Sequence, residues 1–443
     1  MEALTASYTD PHLRPNSVDA YDFTIQHQFS NKFSLEVGGI SRWIHNELQN
    51  INLNTVPYMM KLGGQQFSAA YANVERAMGC ATSLNACNSA TAPATVANLQ
   101  PQPFFEAALA GTGYNCTPSC TANVVTNEFG NFQSQSVFSL WNDLDTGGTA
   151  PGFNFPASNM TTAGQIGPGL GFVVPSTSLG YGNYNAAFFT VKMNGWHGLT
   201  LQNNFTWSKA LGTGAVIQAT SESGAVDSFN LRQQYGPQLF DRRLVDALFM
   251  VYQPPFYRGQ NGLVGHILGG WIFSPIFTTG SGAPLFCGTS SSFPESGYSG
   301  SQEFGAGDSN TEFNPANCVP TSYAGTGASV HTVNGQPTIY GNPTAVFNNM
   351  RPLILGIDKR SGGFGFLHGL PYWNMNLGIK KMIKVTERVN AEASVNFVNV
   401  LNHNQMLDPV LDGSNGSSPA GFGALTTEGT LPRRMEFGIR LNF

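Results

Sequence analysis

Between Tyr21 and Phe29 the chain alternates: Tyr21, Phe23, Ile25 and Phe29 are interleaved with Asp22, Thr24, Gln26 and Gln28. After the polar turn Ser30-Asn31-Lys32, Phe33, Leu35 and Val37 alternate with Ser34 and Glu36, predicting a strand to about Trp43. A period of two puts successive side chains on opposite faces of a strand, so two such runs on a short turn predict a hairpin. Residues 1–17, with Asp10-Pro11 and Arg14-Pro15, read as an irregular lead-in.

The pattern recurs. A strand over 184–194 leads through Gly195-Trp196-His197-Gly198 into Leu199, Leu201, Phe205 and Trp207, set against Thr200, Gln202, Asn204 and Thr206. Over 244–252, Val245, Ala247, Phe249 and Val251 read as the apolar face and Asp246 as the wet one, and Pro254-Pro255 ends the run. The next strand is expected over 267–279, with Pro275 marking a bulge or weak pairing. Trp373, Met375, Leu377 and Ile379 then alternate with Asn374, Asn376, Gly378 and Lys380, and Val389 to Phe397 with Asn390 to Asn396. The last run is the strictest: Met435, Phe437, Ile439, Leu441 and Phe443 against Arg434, Glu436, Gly438, Arg440 and Asn442.

Short turns and long connections alternate between these strands. The longest connections, about 46–183 and 281–371, are rich in Gly, Ser, Thr, Asn and Ala; the first has a helix candidate at Phe67 to Met78. Connections of that length are foreign to a compact soluble domain, whereas a membrane barrel carries long loops at one rim and short turns at the other. The expected fold is all-β: an antiparallel up-and-down transmembrane β-barrel, partial, with about nine or ten strands of a larger barrel over 18–443 and long extracellular loops. The wet face collects Asp22, Glu36, Asp246, Lys380, Glu392, Arg434, Glu436 and Arg440, which line an aqueous lumen in this reading; a dry core would leave those charges unpaired. Lys380 and Glu392 lie where adjacent strands would let them pair.

Composition agrees. Charged residues are 11% of the 443, against about 25% in an ordinary soluble domain. The net charge of −5 gives no basic patch for nucleic acid. No run of apolar residues is long enough for a transmembrane helix. The start, Met1-Glu2-Ala3-Leu4-Thr5, lacks the basic and apolar regions of a signal peptide, so an N-terminally truncated sequence is expected.

Six cysteines lie between strand candidates, and their even number suggests local disulfides in an oxidising compartment: Cys80–Cys87, Cys116–Cys120 and Cys287–Cys318. Cys116 and Cys120 also have a metal-ligand type of spacing, but no second ligand pair is nearby, so no metal is expected. Trp43, Trp196, Trp207, Trp271 and Trp373 fall near strand ends, as interfacial girdles or as ordinary packing. Asp241-Arg242-Arg243 reads as a rim charge cluster or an anion site, and His403, within Asn402-His403-Asn404, as a rim turn or a ligand. Nucleophile elbows, phosphate loops and zinc-protease motifs are absent, so an enzyme is not expected, and no cofactor.

Several segments, in order, resemble a known family. They are Asp10-Pro11 with Tyr21 to Gln28; Gly198 to Leu201 continuing to Thr206-Trp207-Ser208-Lys209-Ala210; Asp241-Arg242-Arg243; Gly270-Trp271 followed by Gly280 to Pro284; Thr386-Glu387-Arg388 with Glu392 and Asn396 to His403; and Arg433 to Phe443. Together they resemble the C-terminal barrel part of TonB-dependent outer-membrane receptors of the Oar-like kind. The resemblance implies a Gram-negative outer-membrane location and a 22-stranded barrel filled by an N-terminal plug. It implies partners: membrane lipid, TonB, and an assembly machinery that reads a terminal signal, here Phe437, Ile439, Leu441 and Phe443. It also implies that the last strand descends to the periplasm. Counting back through nine strands, the first descends too, so the plug and the rest of the barrel are expected from a segment missing here.

The function expected from the resemblance is uptake of a large solute such as a siderophore, glycan or peptide. A structural or adhesion barrel is the alternative, and a soluble β-sandwich binding module the third reading.

Overall fold

The computed structural model describes residues 6–51, 53, 56–146, 173–213, 223–224, 227–285, 318–358, 366–386, 389–409, 411 and 419–443. Nine long strands carry the fold: β1 (Ser17–Ser30), β2 (Phe33–Asn50), β3 (Val173–Trp196), β4 (Leu199–Gly212), β5 (Leu244–Tyr252), β6 (Trp271–Gly280), β7 (Tyr372–Lys384), β8 (Asn390–Val398) and β9 (Arg434–Asn442). Each pairs antiparallel with its neighbours in sequence, so the order across the sheet is the order along the chain. Three short segments complete a 12-stranded sheet: Ala6–Thr9 beside the start of β3, Ser223–Gly224 beside the end of β2, and Gly236–Pro237 beside the end of β4. One meandering sheet replaces the two packed sheets of a sandwich, so the sandwich reading falls. Within the described residues the sheet is open, with β1 and β9 as its edges, and both are exposed along their whole length.

Residues paired across an antiparallel ladder share a face. Following the register from Tyr21↔Ser41 and Phe23↔Gly39 through Phe189↔Phe205, Phe277↔Met375 and Val395↔Phe437 traces one continuous face that is mainly apolar. It ends on β9 with Phe437 at 75% and Ile439 at 85% exposure. Trp43, Trp196, Trp207, Trp271 and Trp373 are all on it, with Trp196 and Trp271 toward the short-turn rim and the other three toward the long-loop rim.

Three strands depart from the sequence expectation. β2 runs to Asn50 and β3 starts at Val173, ten residues or so beyond the apolar alternation, and Gln49 and Asn50 pair with Thr177 and Ser176. A strand crosses a bilayer in about 9–11 residues; β3 has 24, and the part beyond the membrane has no reason to alternate. The run expected from Ile267 instead opens with a helix, Gly262–Leu268, and the strand begins at Trp271. Pro275 does weaken pairing: the β5 ladder has no Met250–Pro275 or Val251–Ser274 pair, while the β7 ladder runs through unbroken. Proline offers no N–H, and the β5 side takes the gap.

The β2–β3 connection folds into a helical cap, α1 (Phe67–Met78), α2 (Leu84–Ser89), α3 (Ala92–Ala97), α4 (Pro103–Leu109), α5 (Cys120–Asn127), α6 (Phe129–Gln133) and α7 (Val137–Thr146). α1 places Phe67, Ala70, Tyr71, Val74 and Met78 at helical spacing on one buried face and ends at Gly79 in the left-handed region. These pack with Phe104, Phe105, Phe132 and Trp141 into a core that also takes Val319 and Leu353 to Leu355 from the β6–β7 connection. A second core, around Ile339, Tyr340, Phe347, Leu370 and Phe422, joins that connection to the β8–β9 one. Among the described residues no helix is long and apolar enough to cross a membrane.

Candidate functional site

The face opposite the apolar one is the candidate working surface. Asp22, Glu36, Lys380, Glu392, Arg434, Glu436 and Arg440 all stand on it, the pairs Gln26↔Glu36, Glu392↔Arg440, Asn396↔Glu436 and Val398↔Arg434 fixing the side. Ion pairs stitch it across strands. Arg42 donates to both carboxylate oxygens of Asp22, at 2.6 and 3.0 Å, and Lys192 Nζ lies 3.7 Å from Glu36. Lys380 Nζ is 2.8 Å from Glu392. Neutral amides fill in: Thr190 and Gln202 both donate to Asn204 Oδ1, and Asn374 donates to Asn376. Acidic and basic side chains are interspersed along this wall, and three of the acids, Asp22, Glu36 and Glu392, each face a cation on the neighbouring strand. Such a surface offers a hydrated solute many weak, exchangeable contacts.

Asp246 is the exception, and here the structure corrects the sequence reading. The register pairs it with Phe205 and Thr279, which puts it on the apolar face beside Leu248 and Phe277. There Asn203 Nδ2 donates to its Oδ1 at 2.8 Å. β5 is apolar on both sides, so alternation within it cannot say which side is wet.

Asp241-Arg242-Arg243 sits where the β4–β5 connection enters β5. The Asp241 carboxylate is buried, accepting from Lys209 Nζ at 2.6 Å and from Ala210 N at 2.7 Å. Arg242 donates to Ser281 O at 2.7 Å and lies over the Tyr372 ring. Asp241 and Arg242 therefore clamp the tops of β4, β5 and β6 together, with their charges already engaged. Beside it, burial and the Lys209 and Arg243 cations hold His368 below its usual range, and burial raises Asp408, which accepts from Leu370 N. A cavity of about 510 Å³ opens here between β7, β8 and the β8–β9 connection, lined by Arg242, Asp408, Tyr372, Asn374 and Gln405. His403 stacks on Trp373 at 3.9 Å, a packing role.

In the cap, Cys80–Cys87 and Cys116–Cys120 are bonded as expected. Cys318 is also disulfide-bonded, and Cys287 lies outside the described residues. Glu75 is near Cys80 and Cys87, but their sulfurs are joined to each other, which removes them as thiolate ligands. Glu75 itself is fully buried beside Tyr71 and Gln135, and burial pushes its carboxyl up to about 8. Burial and the adjacent Asp143 carboxylate push Glu128 up to about 7.

The sequence profile described as "Outer membrane beta barrel domain" matches residues 2–436. The chain belongs to that family. As an outer membrane β-barrel domain it resides in the outer membrane, and its apolar face is the one that meets lipid. Similar solved structures are the outer membrane transporter YddB from Escherichia coli (7% identity, 99% of this chain and 34% of that one, TM-score 0.38) and the copper transporter OprC (8%, 97% and 32%, TM-score 0.29). A Pseudomonas aeruginosa FadL homologue is also similar (8%, 96% and 67%, TM-score 0.17). The chain spans about a third of the length of the first two. At these scores the likeness adds nothing to the family match. No curated protein matches the sequence.

Proposed function

We propose that this barrel domain is part of the wall of an outer-membrane transporter for a large solute, with uptake driven through TonB. The observation that carries the transport reading is the polar face: ion pairs and amide hydrogen bonds on β1 to β4 and on β7 and β8, opposite a continuous lipid-facing surface. The TonB dependence rests on the family resemblance of the strand motifs, and with it come a plug, the rest of the barrel and a TonB-binding segment, all supplied by sequence outside this chain. In-frame translation of the DNA preceding Met1 tests this directly; an unrelated intact gene end there, with no plug sequence, sinks it. Uptake by the complete protein should also stop when TonB is deleted.

The helical cap favours a second reading, an adhesion barrel, since it is a disulfide-tied unit packed round an aromatic core that it shares with the β6–β7 connection. On that reading, deleting residues 56–146 abolishes attachment and leaves solute uptake unchanged. On the transport reading the same deletion alters uptake.

A further inference from the structure

The β5–β6 connection differs from the other connections at the short-turn rim. It spans 253–270 and contains α8 (Gly262–Leu268), a helix without Asp, Glu, Lys or Arg, whose one titratable side chain is the exposed His266 in its last turn. Leu263, Val264, Ile267 and Leu268 are 78, 55, 57 and 44% exposed, and only Gly265 of its seven residues is buried. Seven residues do not hold a helix alone in water. This one is fixed from outside. Gly265 packs against the Gln260 backbone, where a Cβ would lie 2.8 Å from the carbonyl carbon. Gln260 in turn donates to Met382 O at 2.7 Å and accepts from Lys384 N at 2.9 Å, tying the connection to the end of β7. At the other end Lys381 Nζ donates to His266 O at 2.6 Å, to Ile267 O at 3.1 Å and to Gly269 O. A cation on the last carbonyls of a helix opposes its dipole favourably. The same ammonium lies 4.9 Å over the Trp271 ring, and Trp271 donates its Nε1–H to Ile267 O.

Trp271 and Lys381 pair with each other across β6 and β7 on the apolar face. The helix they hold is therefore on the lipid side of the sheet, at the rim of short turns, continuous with the surface that meets the membrane.

We propose that α8 is an interfacial anchor, lying in the periplasmic leaflet of the outer membrane with Leu263, Val264, Ile267 and Leu268 among the acyl chains. A tryptophan and a lysine at the boundary, with a mainly apolar helix beside them whose one polar side chain, His266, can reach the headgroups, match the chemistry of that layer. Exposed to the aqueous periplasm the four side chains would gain nothing from being held out; at the lipid boundary their apolar area is removed from water.

Among the described residues no cysteine is free, so single nitroxide labels can be placed on the full chain at Leu263→Cys and Ile267→Cys. The protein is reconstituted in phosphatidylethanolamine–phosphatidylglycerol vesicles. Collision with oxygen, which partitions into lipid, should exceed collision with the aqueous nickel chelate by at least about fivefold at both sites, as for a helix inserted about 5–10 Å below the headgroup level. Dominance of the nickel chelate overturns the anchor, and so does shielding from both reagents, which means a protein surface covers α8. A label at Phe437→Cys on β9 reports strand insertion separately. An aqueous Leu263 beside a lipid-exposed Phe437 overturns the anchor alone; aqueous signals at both overturn the lipid-facing assignment with it.

Discussion

Two polar side chains in the lipid-facing band, Asn203 and Asp246, satisfy each other, and that is what lets them stay there. Removing one partner leaves the other unpaired among Leu248, Phe205 and Phe277. Asp246→Leu should therefore destabilise the protein in vesicles by about 1–3 kcal/mol, and Asn203→Leu with Asp246→Leu should recover most of it. The midpoint of urea unfolding for the two variants reads this, and equal loss in both would show that the pair does not act as a unit. Glu75 makes a prediction about pH. Its carboxyl ordinarily titrates near 4.5 and is held up to about 8 in the folded cap. The folded state keeps a proton that the unfolded chain gives up, so the stabilisation is complete below 4.5 and declines as pH rises toward about 8, at up to about 1.4 kcal/mol per pH unit for one proton. Protease susceptibility of the cap should rise across that window, and Glu75→Gln should flatten the rise. None of this was legible at residue scale in the sequence. Asp246 sits in a strand apolar on both sides, and Glu75 sits in a helix whose other contacts are set by the tertiary fold.

At the scale of elements the sequence was a better guide. The hairpin β1–β2, the strands β4, β7, β8 and β9, and helix α1 all follow from spacing, because lipid on one side and water on the other impose a strict period of two, and a packed helix face a period near 3.6. What escaped was where that constraint ends: the polar upper parts of β2 and β3, and α8, whose Ile267 and Leu268 are separated from Trp271 only by Gly269-Gly270, with no charged residue between. β9 offers a direct test of the two faces. Phe437→Arg places a cation in the lipid band at about 2–4 kcal/mol near the midplane, and should sharply lower the inserted fraction. Glu436→Arg, one residue away on the opposite face, should leave it nearly unchanged. Insertion is measured by protease protection in vesicles. The Lys380–Glu392 pair, with its lysine 41% exposed, contributes no more than about 1 kcal/mol, so Lys380→Ala alters stability little.

For the whole molecule, direction matters as much as number. β1 and β9 both run from the long-loop rim to the short-turn rim, so a second copy standing upright in the same membrane would bring β9 against a parallel β1. Antiparallel closure requires an odd number of further strands between them. Differently tagged copies should accordingly fail to co-purify as a heat-resistant assembly; if they do co-purify so, the edges close in another way. The cap adds one more consequence, for how such a protein is made. Each described disulfide joins cysteines only 7 or 4 residues apart, and neither ties the cap to a strand. Oxidation can therefore precede insertion, because the loop remains a single pliable thread knotted only locally. It can still be passed outward through the forming wall, and its aromatic core assembles after transit, on the far side of the membrane.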